Sequence, residues 1–182
     1  MSDEPLVSVV LIGFNDVGRI GRALESIRRQ TLRSIEIIVV DDASTDGTAE
    51  YVESVAVNDS RIRLLSRSEN SGGCSAPRND GLRMARAPWV MFCDSDDEYD
   101  MHACATLLRA AEEWNADVVC GTAIRHDVAR DRDKRWRPEL PAADRLISSL
   151  AQAPELLYDT ISVHKISRRS FRHEHDSQFP DG

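Results

Sequence analysis

Asp94-Ser95-Asp96-Asp97 follows directly on the apolar run Trp89 to Cys93, so a strand delivers several carboxylates to one turn. Side chains alternate between faces along a strand, and a turn at its end can aim two of them at one point outside the sheet. Mg2+ and Mn2+ take a few carboxylate oxygens and fill their remaining positions with phosphate oxygens and water. The stretch therefore suits a divalent cation shared with a nucleotide diphosphate. A solvated acidic loop is the plain alternative, because a short Asp-x-Asp motif recurs by chance. Asp41-Asp42 stands in the same position after the apolar run Ile35 to Val40. There a carboxylate can accept hydrogen bonds from a base N–H or from ribose hydroxyls, and this task falls to Asp42. Ser44 and Asp46, just ahead of a helical pattern, read as helix-capping residues instead.

Other chemistries lack their residues. The loop Gly13 to Ile20 lies between a strand and a helix, but it has neither the Lys-Ser/Thr of a P-loop nor a Gly-x-Gly-x-x-Gly pattern. Cys74, Cys93, Cys104 and Cys120 form no Cys-x-x-Cys pair and read as thiols acting as small hydrophobes in a reducing compartment. His173-Glu174-His175 reads as a solvated turn rather than a metal site.

These residues need elements to position them. Val7 to Ile12, Ile35 to Val40, Ile62 to Leu65 and Trp89 to Cys93 are short apolar runs, the pattern of strands buried on both faces. Between them lie helical periods: Ile20, Ala23, Leu24 and Ile27; then Tyr51, Val52 and Val55; then a helix capped by Ser75, with Pro77 in its first turn and Leu82 and Ala85 inside. Cys104, Leu107, Leu108, Ala111 and Trp114 mark one face of a fourth helix, and Ser71-Gly72-Gly73 is a turn. This alternation predicts an α/β fold, a mostly parallel sheet with helices on both faces, whose ligand gathers at the carboxyl ends of the strands. The charged stretch Arg125 to Arg137 is expected to be a surface excursion. Leu146, Ile147 and Leu150 suggest a short helix, and Ile161 to Lys165 a returning strand.

Residues 1–182 read as one domain, since 182 residues of which 41% are hydrophobic suffice for a single core. A formal charge of −8 argues against a nucleic acid polymer as partner. The acidic N-terminus is unlike a secretory signal, and no apolar run is long enough to span a bilayer, so the expectation is a cytoplasmic protein, either soluble or peripheral at the inner face of the membrane.

Val7 to Asn15, Glu36 to Thr48, Asn70 to Leu82 and Phe92 to Asp97 together resemble, in order and spacing, the family 2 glycosyltransferases of the GT-A (Rossmann-like) fold. The Asn-Ser-Gly stretch followed by Pro77-Arg78-Asn79 and Gly81-Leu82 is most similar to bacterial enzymes that decorate wall teichoic acids or extend surface polysaccharides. The resemblance implies an inverting transfer of a sugar from a UDP-sugar to a hydroxyl of a cell-surface glycan or polyol-phosphate polymer. It implies Phe14 beside the uracil, Asp42 on base or ribose, and Asn70 and Arg78 near the nucleotide. Asp94 and Ser95 belong to the sugar-nucleotide site, and Asp94 and Asp96 to Mn2+ or Mg2+. Gly13 stands where such proteins often have Pro, and Asp16 matches their acidic residue only approximately.

Inversion needs a carboxylate to deprotonate the acceptor. The resemblance puts that acidic pair just beyond Phe179 to Gly182, which implies a C-terminally truncated chain. No catalytic residue is assigned within it; Asp181 and Glu174 are the nearest substitutes. The alternatives are a nucleotidyltransferase, which would want a Gly- and Lys/Arg-rich loop after the first strand, and a non-catalytic UDP-sugar-binding domain.

Overall fold

Four parallel strands and their crossover helices build the centre of the molecule: β1 (Val7–Gly13), α1 (Ile20–Arg28), β2 (Ile35–Asp41), α2 (Thr48–Ala56), β3 (Ile62–Ser66), α3 (Ser75–Met84) and β4 (Trp89–Asp94). They are followed by α4 (Ala103–Glu113), β5 (Val118–Cys120), β6 (Ile124–Asp127), β7 (Arg132–Arg135), a 3-10 turn (Leu150–Gln152), β8 (Lys165–Arg168) and α5 (Arg169–Glu174). The structure is a computed structural model that describes residues 4–136, 146–147, 150–153, 156 and 161–180.

The sheet runs β3-β2-β1-β4-β8-β5. β1 to β4 pair in parallel, whereas β8 is antiparallel to both of its neighbours. β1 and β2 are buried at every position, which is why both read as unbroken apolar runs. One core, with Leu11, Leu24, Ile27, Ile37 and Met91, lies under α1, α2 and α4. The other, with Val10, Ile38, Val40 and Phe92, lies under α3 and Phe179. Gly81 lets α3 settle there, since a Cβ at that position would stand 2.3 Å from Val10 Cγ1. The architecture is the expected GT-A-like α/β fold.

Several local expectations fail for identifiable reasons. Residues 125–135 do lie at the surface, but as most of the hairpin β6-β7, whose charges pair across and along it: His126 Nδ1 lies 2.8 Å from Asp133 Oδ1, and Arg130 bonds Asp127 at 2.9 Å. The returning strand begins at Lys165 rather than ending there, because Ile166, fully buried between Met91 and Val119, sets the register. Leu146 and Ile147 lie outside any helix, and the 3-10 turn starts at Leu150. His173-Glu174-His175 is exposed as expected, but it closes α5 rather than forming a free turn. Ser75 opens α3 instead of capping it; Cys74 holds the cap position without a side-chain bond. Among the described residues, no helix is long and apolar enough to cross a membrane.

Candidate functional site

The register brings the loops after the parallel strands to one edge, with Gly13 opposite Asp41, Ile12 opposite Asp94, and Asp41 opposite Ser66. The loops after β1 and β2 are then sewn together. Asn15 N donates to Ser44 Oγ at 2.8 Å, Thr45 N to Asn15 Oδ1 at 2.8 Å, and Asp16 N to Thr48 Oγ1 at 2.9 Å. Asp46 accepts from Val17 N at 3.0 Å through one oxygen and from Thr48 N at 3.0 Å through the other. Asp46 therefore satisfies the first N–H of α2 as expected, although not from the N-cap position, whereas Ser44 bonds the β1-α1 loop instead. Gly47, at φ +94°, is the N-cap and makes no side-chain cap bond. Residues 15–17 have backbone N–H groups without helical partners, and the side-chain oxygens of the neighbouring loop are the acceptors that satisfy them.

Phe14 leaves its ring on this edge, 44% exposed. Asp42 and Asn70, expected at the nucleotide, do come together, but they are bonded to each other. The buried Asp42 carboxylate accepts from Asn70 Nδ2 at 3.0 Å, Ser71 N at 3.0 Å and Ser71 Oγ at 2.8 Å, with Arg67 at 3.3 Å. Asn70 Oδ1 accepts from Gly72 N at 2.9 Å, which closes the turn where Gly72 takes φ +75°. Asp42 thus braces the loop as well as facing the edge.

At the end of β4, Arg78 Nη2 bonds both oxygens of Asp94, at 2.6 and 2.8 Å, so two expected site residues form one ion pair. Ser95 is placed differently. Its hydroxyl is buried and donates to the Asp16 carboxylate, which also takes Arg19, so it serves the β1-α1 loop rather than the open edge. Asp96 is exposed and Asp97 half-buried, and no described residue donates a hydrogen bond to either carboxylate. Burial first, then the charges of Asp94 and Asp96, push the Asp97 carboxyl up to about 6, against the opposing pull of Arg78. Among the described residues no three acidic, His or Cys side chains form a metal cage. A cation here would have to share its coordination with a ligand. Carboxylates that repel one another and lack donors suit that kind of site.

Sequence reasoning missed Asn79 and Phe179. Asn79, buried on the inner face of α3, donates to Phe179 O and accepts from Phe179 N, both at 2.9 Å. The Phe179 ring then meets Phe92 edge-on at 5.0 Å and lies 5.3 Å from the Arg78 guanidinium. A polar side chain on an apolar helix face was the available signal, since it must find a partner. Of the two substitute bases, Glu174 is exposed on α5, which starts at the opposite edge where Arg169 N bonds Pro88 O. Asp181 lies outside the described residues.

Known proteins share this sequence pattern and fold. The chain is 31% identical to a putative glycosyltransferase, EpsH, of Bacillus subtilis over 98% of its own length and 51% of that protein's. It is 35% identical to the poly(ribitol-phosphate) beta-N-acetylglucosaminyltransferase TarP of Staphylococcus aureus, covering 63% of this chain and 36% of TarP. A crystal structure of S. aureus TarS superimposes with a TM-score of 0.80, at 28% identity, over 96% of this chain and 50% of that one. The same protein in complex with UDP-GlcNAc gives 0.77. The chain spans about half the length of EpsH and of the TarS chain. With residues 8–173 matching the family described as glycosyl transferase family 2, the chain belongs to that family.

Proposed function

We propose that the chain binds a UDP-sugar and acts in an inverting glycosyl transfer to a hydroxyl of a surface glycan or polyol-phosphate polymer. The observation that carries this is the pair of donor-free carboxylates, Asp96 and Asp97, beside the Arg78–Asp94 ion pair at the carboxyl edge of a parallel sheet. The TarS complex with UDP-GlcNAc supports the donor, and the name of TarP supports the acceptor class.

In this reading Phe14 lies against the uracil, while Asp42 and Asn70 hold the loop that walls the nucleoside. Arg78 and Asp94 line the sugar-phosphate side, and Ser95 steadies the β1-α1 loop through Asp16. Asp96 and Asp94 would hold Mn2+ or Mg2+, which supplies positive charge against the departing diphosphate. Buried thiols at Cys93 and Cys104 suit a reducing compartment and support a cytoplasmic location, at the inner face of the membrane if the acceptor is anchored there.

Titration calorimetry of UDP with and without Mn2+ tests the assignment. UDP affinity should depend strongly on the metal, and Asp96→Ala should remove that dependence with the circular dichroism spectrum unchanged. A folded Asp96→Ala variant that retained metal-dependent affinity would overturn it. Diphosphate release from UTP would point to nucleotidyl transfer instead.

A further inference from the structure

We propose that the cleft between α3 and α5 is a second anion site, which binds a phosphate group apart from the nucleotide edge. The cleft has a volume of about 350 Å³ and is lined by Arg83 from α3 and by Arg169, Arg172 and His173 from α5, with Asp176 as its one carboxylate. So dense a positive cluster is notable in a chain of net charge −8.

Two of the three arginines, Arg169 and Arg172, are held by neutral groups. Arg172 donates from Nε to Ser167 Oγ at 2.6 Å and from Nη1 to Ser177 O at 3.0 Å, and it packs 5.1 Å from the Phe92 ring and 5.4 Å from Phe179. Arg169 Nε donates to Ala87 O at 2.9 Å. Among the described residues, neither guanidinium has a carboxylate within ion-pair distance. Asp176 is instead engaged by Gln178, and Arg83 is paired with Asp80. Burial pushes the Arg172 guanidinium down from its ordinary pKa, as expected of a desolvated cation without a counter-ion. Guanidinium groups fixed by backbone and hydroxyl oxygens, with N–H bonds to spare, match the tetrahedral oxygens of phosphate.

The cleft is lined by none of Arg78, Asp94, Asp96 and Asp97, although Arg78 and Arg172 both pack near the Phe179 ring. Arg169 lies by Pro88, at the amino edge of the sheet. The site does not rest on the donor reading above. Its phosphate can be free or part of a phosphodiester chain, and the chemistry recognised is the same.

Calorimetric titration in metal-free, low-salt buffer with inorganic phosphate, and in parallel with a glycerophosphodiester, tests the site. Saturable one-to-one binding is expected, weakened about tenfold or more in an Arg83→Gln/Arg169→Gln double variant. It should be unchanged in Asp96→Ala and not displaced by UDP. Binding of both probes supports a site that reads phosphate within a chain, and binding of inorganic phosphate alone supports a site for the free ion. Absence of saturable binding, affinity unaltered in the double variant, or displacement by UDP would overturn the proposal. Thermal midpoints check the fold. Should the double variant unfold, Arg83→Gln provides the readout, since among the described residues that exposed side chain bonds only Asp80.

Discussion

Replacing Asp97 by Asn should make the metal-free protein more stable near neutral pH and leave its stability unchanged in acid. The Asp97 carboxyl is raised from 3.8 to about 6, first by burial and then by Asp94 and Asp96. Its folded-state pKa lies above its unfolded one, so between about pH 4 and pH 6 the folded chain binds the extra proton and stability falls as pH rises. Above about pH 6 the penalty is complete. At 1.36 kcal/mol for each pKa unit it amounts to at most about 3 kcal/mol, and solvent reaching the half-buried group reduces it to roughly 1.5–3 kcal/mol. For a chain of this size that corresponds to a rise in Tm of about 4–10 °C. The assay is thermal denaturation of both proteins in EDTA from pH 4 to pH 8. Equal midpoints at pH 7.5 would refute the reasoning, as would a gain that persists undiminished at pH 4. Adding Mn2+ with UDP at pH 7.5 should narrow the gap, because a bound cation offsets the repulsion that Asn removes.

Asp42→Asn should weaken uridine and UDP alike, about tenfold, by loosening the loop that Asn70 and Ser71 close over it; calorimetry on both ligands checks this, and an effect on UDP alone would count against it. Asp46→Asn should lower the thermal midpoint with little change in nucleoside affinity, since the carboxylate ties Thr48 to Val17. Its hydrogen bond from Thr48 and the others hold that carboxyl below the ordinary range, so the loss should fade as the pH falls through the carboxylate range. Gly81→Ala should cost about 1–3 kcal/mol in urea denaturation, because the added methyl meets Val10 and α3 must shift off the sheet.

The central sheet was legible because full burial turns a strand into a continuous apolar run: β1, β2, β3 and β4 fall within a residue of the runs at 7–12, 35–40, 62–65 and 89–93. α1 was equally plain, with Ile20, Ala23, Leu24 and Ile27 all buried. The hairpin β6-β7 gave no such signal, since ion pairs hold it and its apolar Ile124 is exposed. In the candidate site, position after a strand was enough to place Asp42 and Asp94 at the carboxyl edge of the sheet. What each side chain bonds was not legible, because those partners are tertiary. Ser95 meets a residue 79 positions away, and Asn79 one 100 positions away. Ser95 was therefore read as facing the ligand when it faces Asp16.

The treatment of carboxylates across the fold bears on the donor site more directly than any motif does. Glu36, buried at the amino edge, would be pushed up by burial. Bonds from Ser8 Oγ at 2.6 Å, Arg86 N at 2.7 Å and Arg63 at 3.0 Å outweigh that and leave it below its ordinary pKa. Asp59 is held well below the usual range by Arg61 and Arg28. Asp42, too, takes donors from three residues. Where an acid serves the chain's own structure, the fold surrounds it with donors, as the cost of an unpaired buried carboxylate requires. Asp96 and Asp97 break that pattern at the carboxyl edge, adjacent in sequence and without hydrogen-bond donors among the described residues, and burial and the neighbouring carboxylates leave the Asp97 carboxyl raised. Among the described residues Arg78 opposes that repulsion at Asp97 without cancelling it, and a small cation brought with a diphosphate would offset the rest.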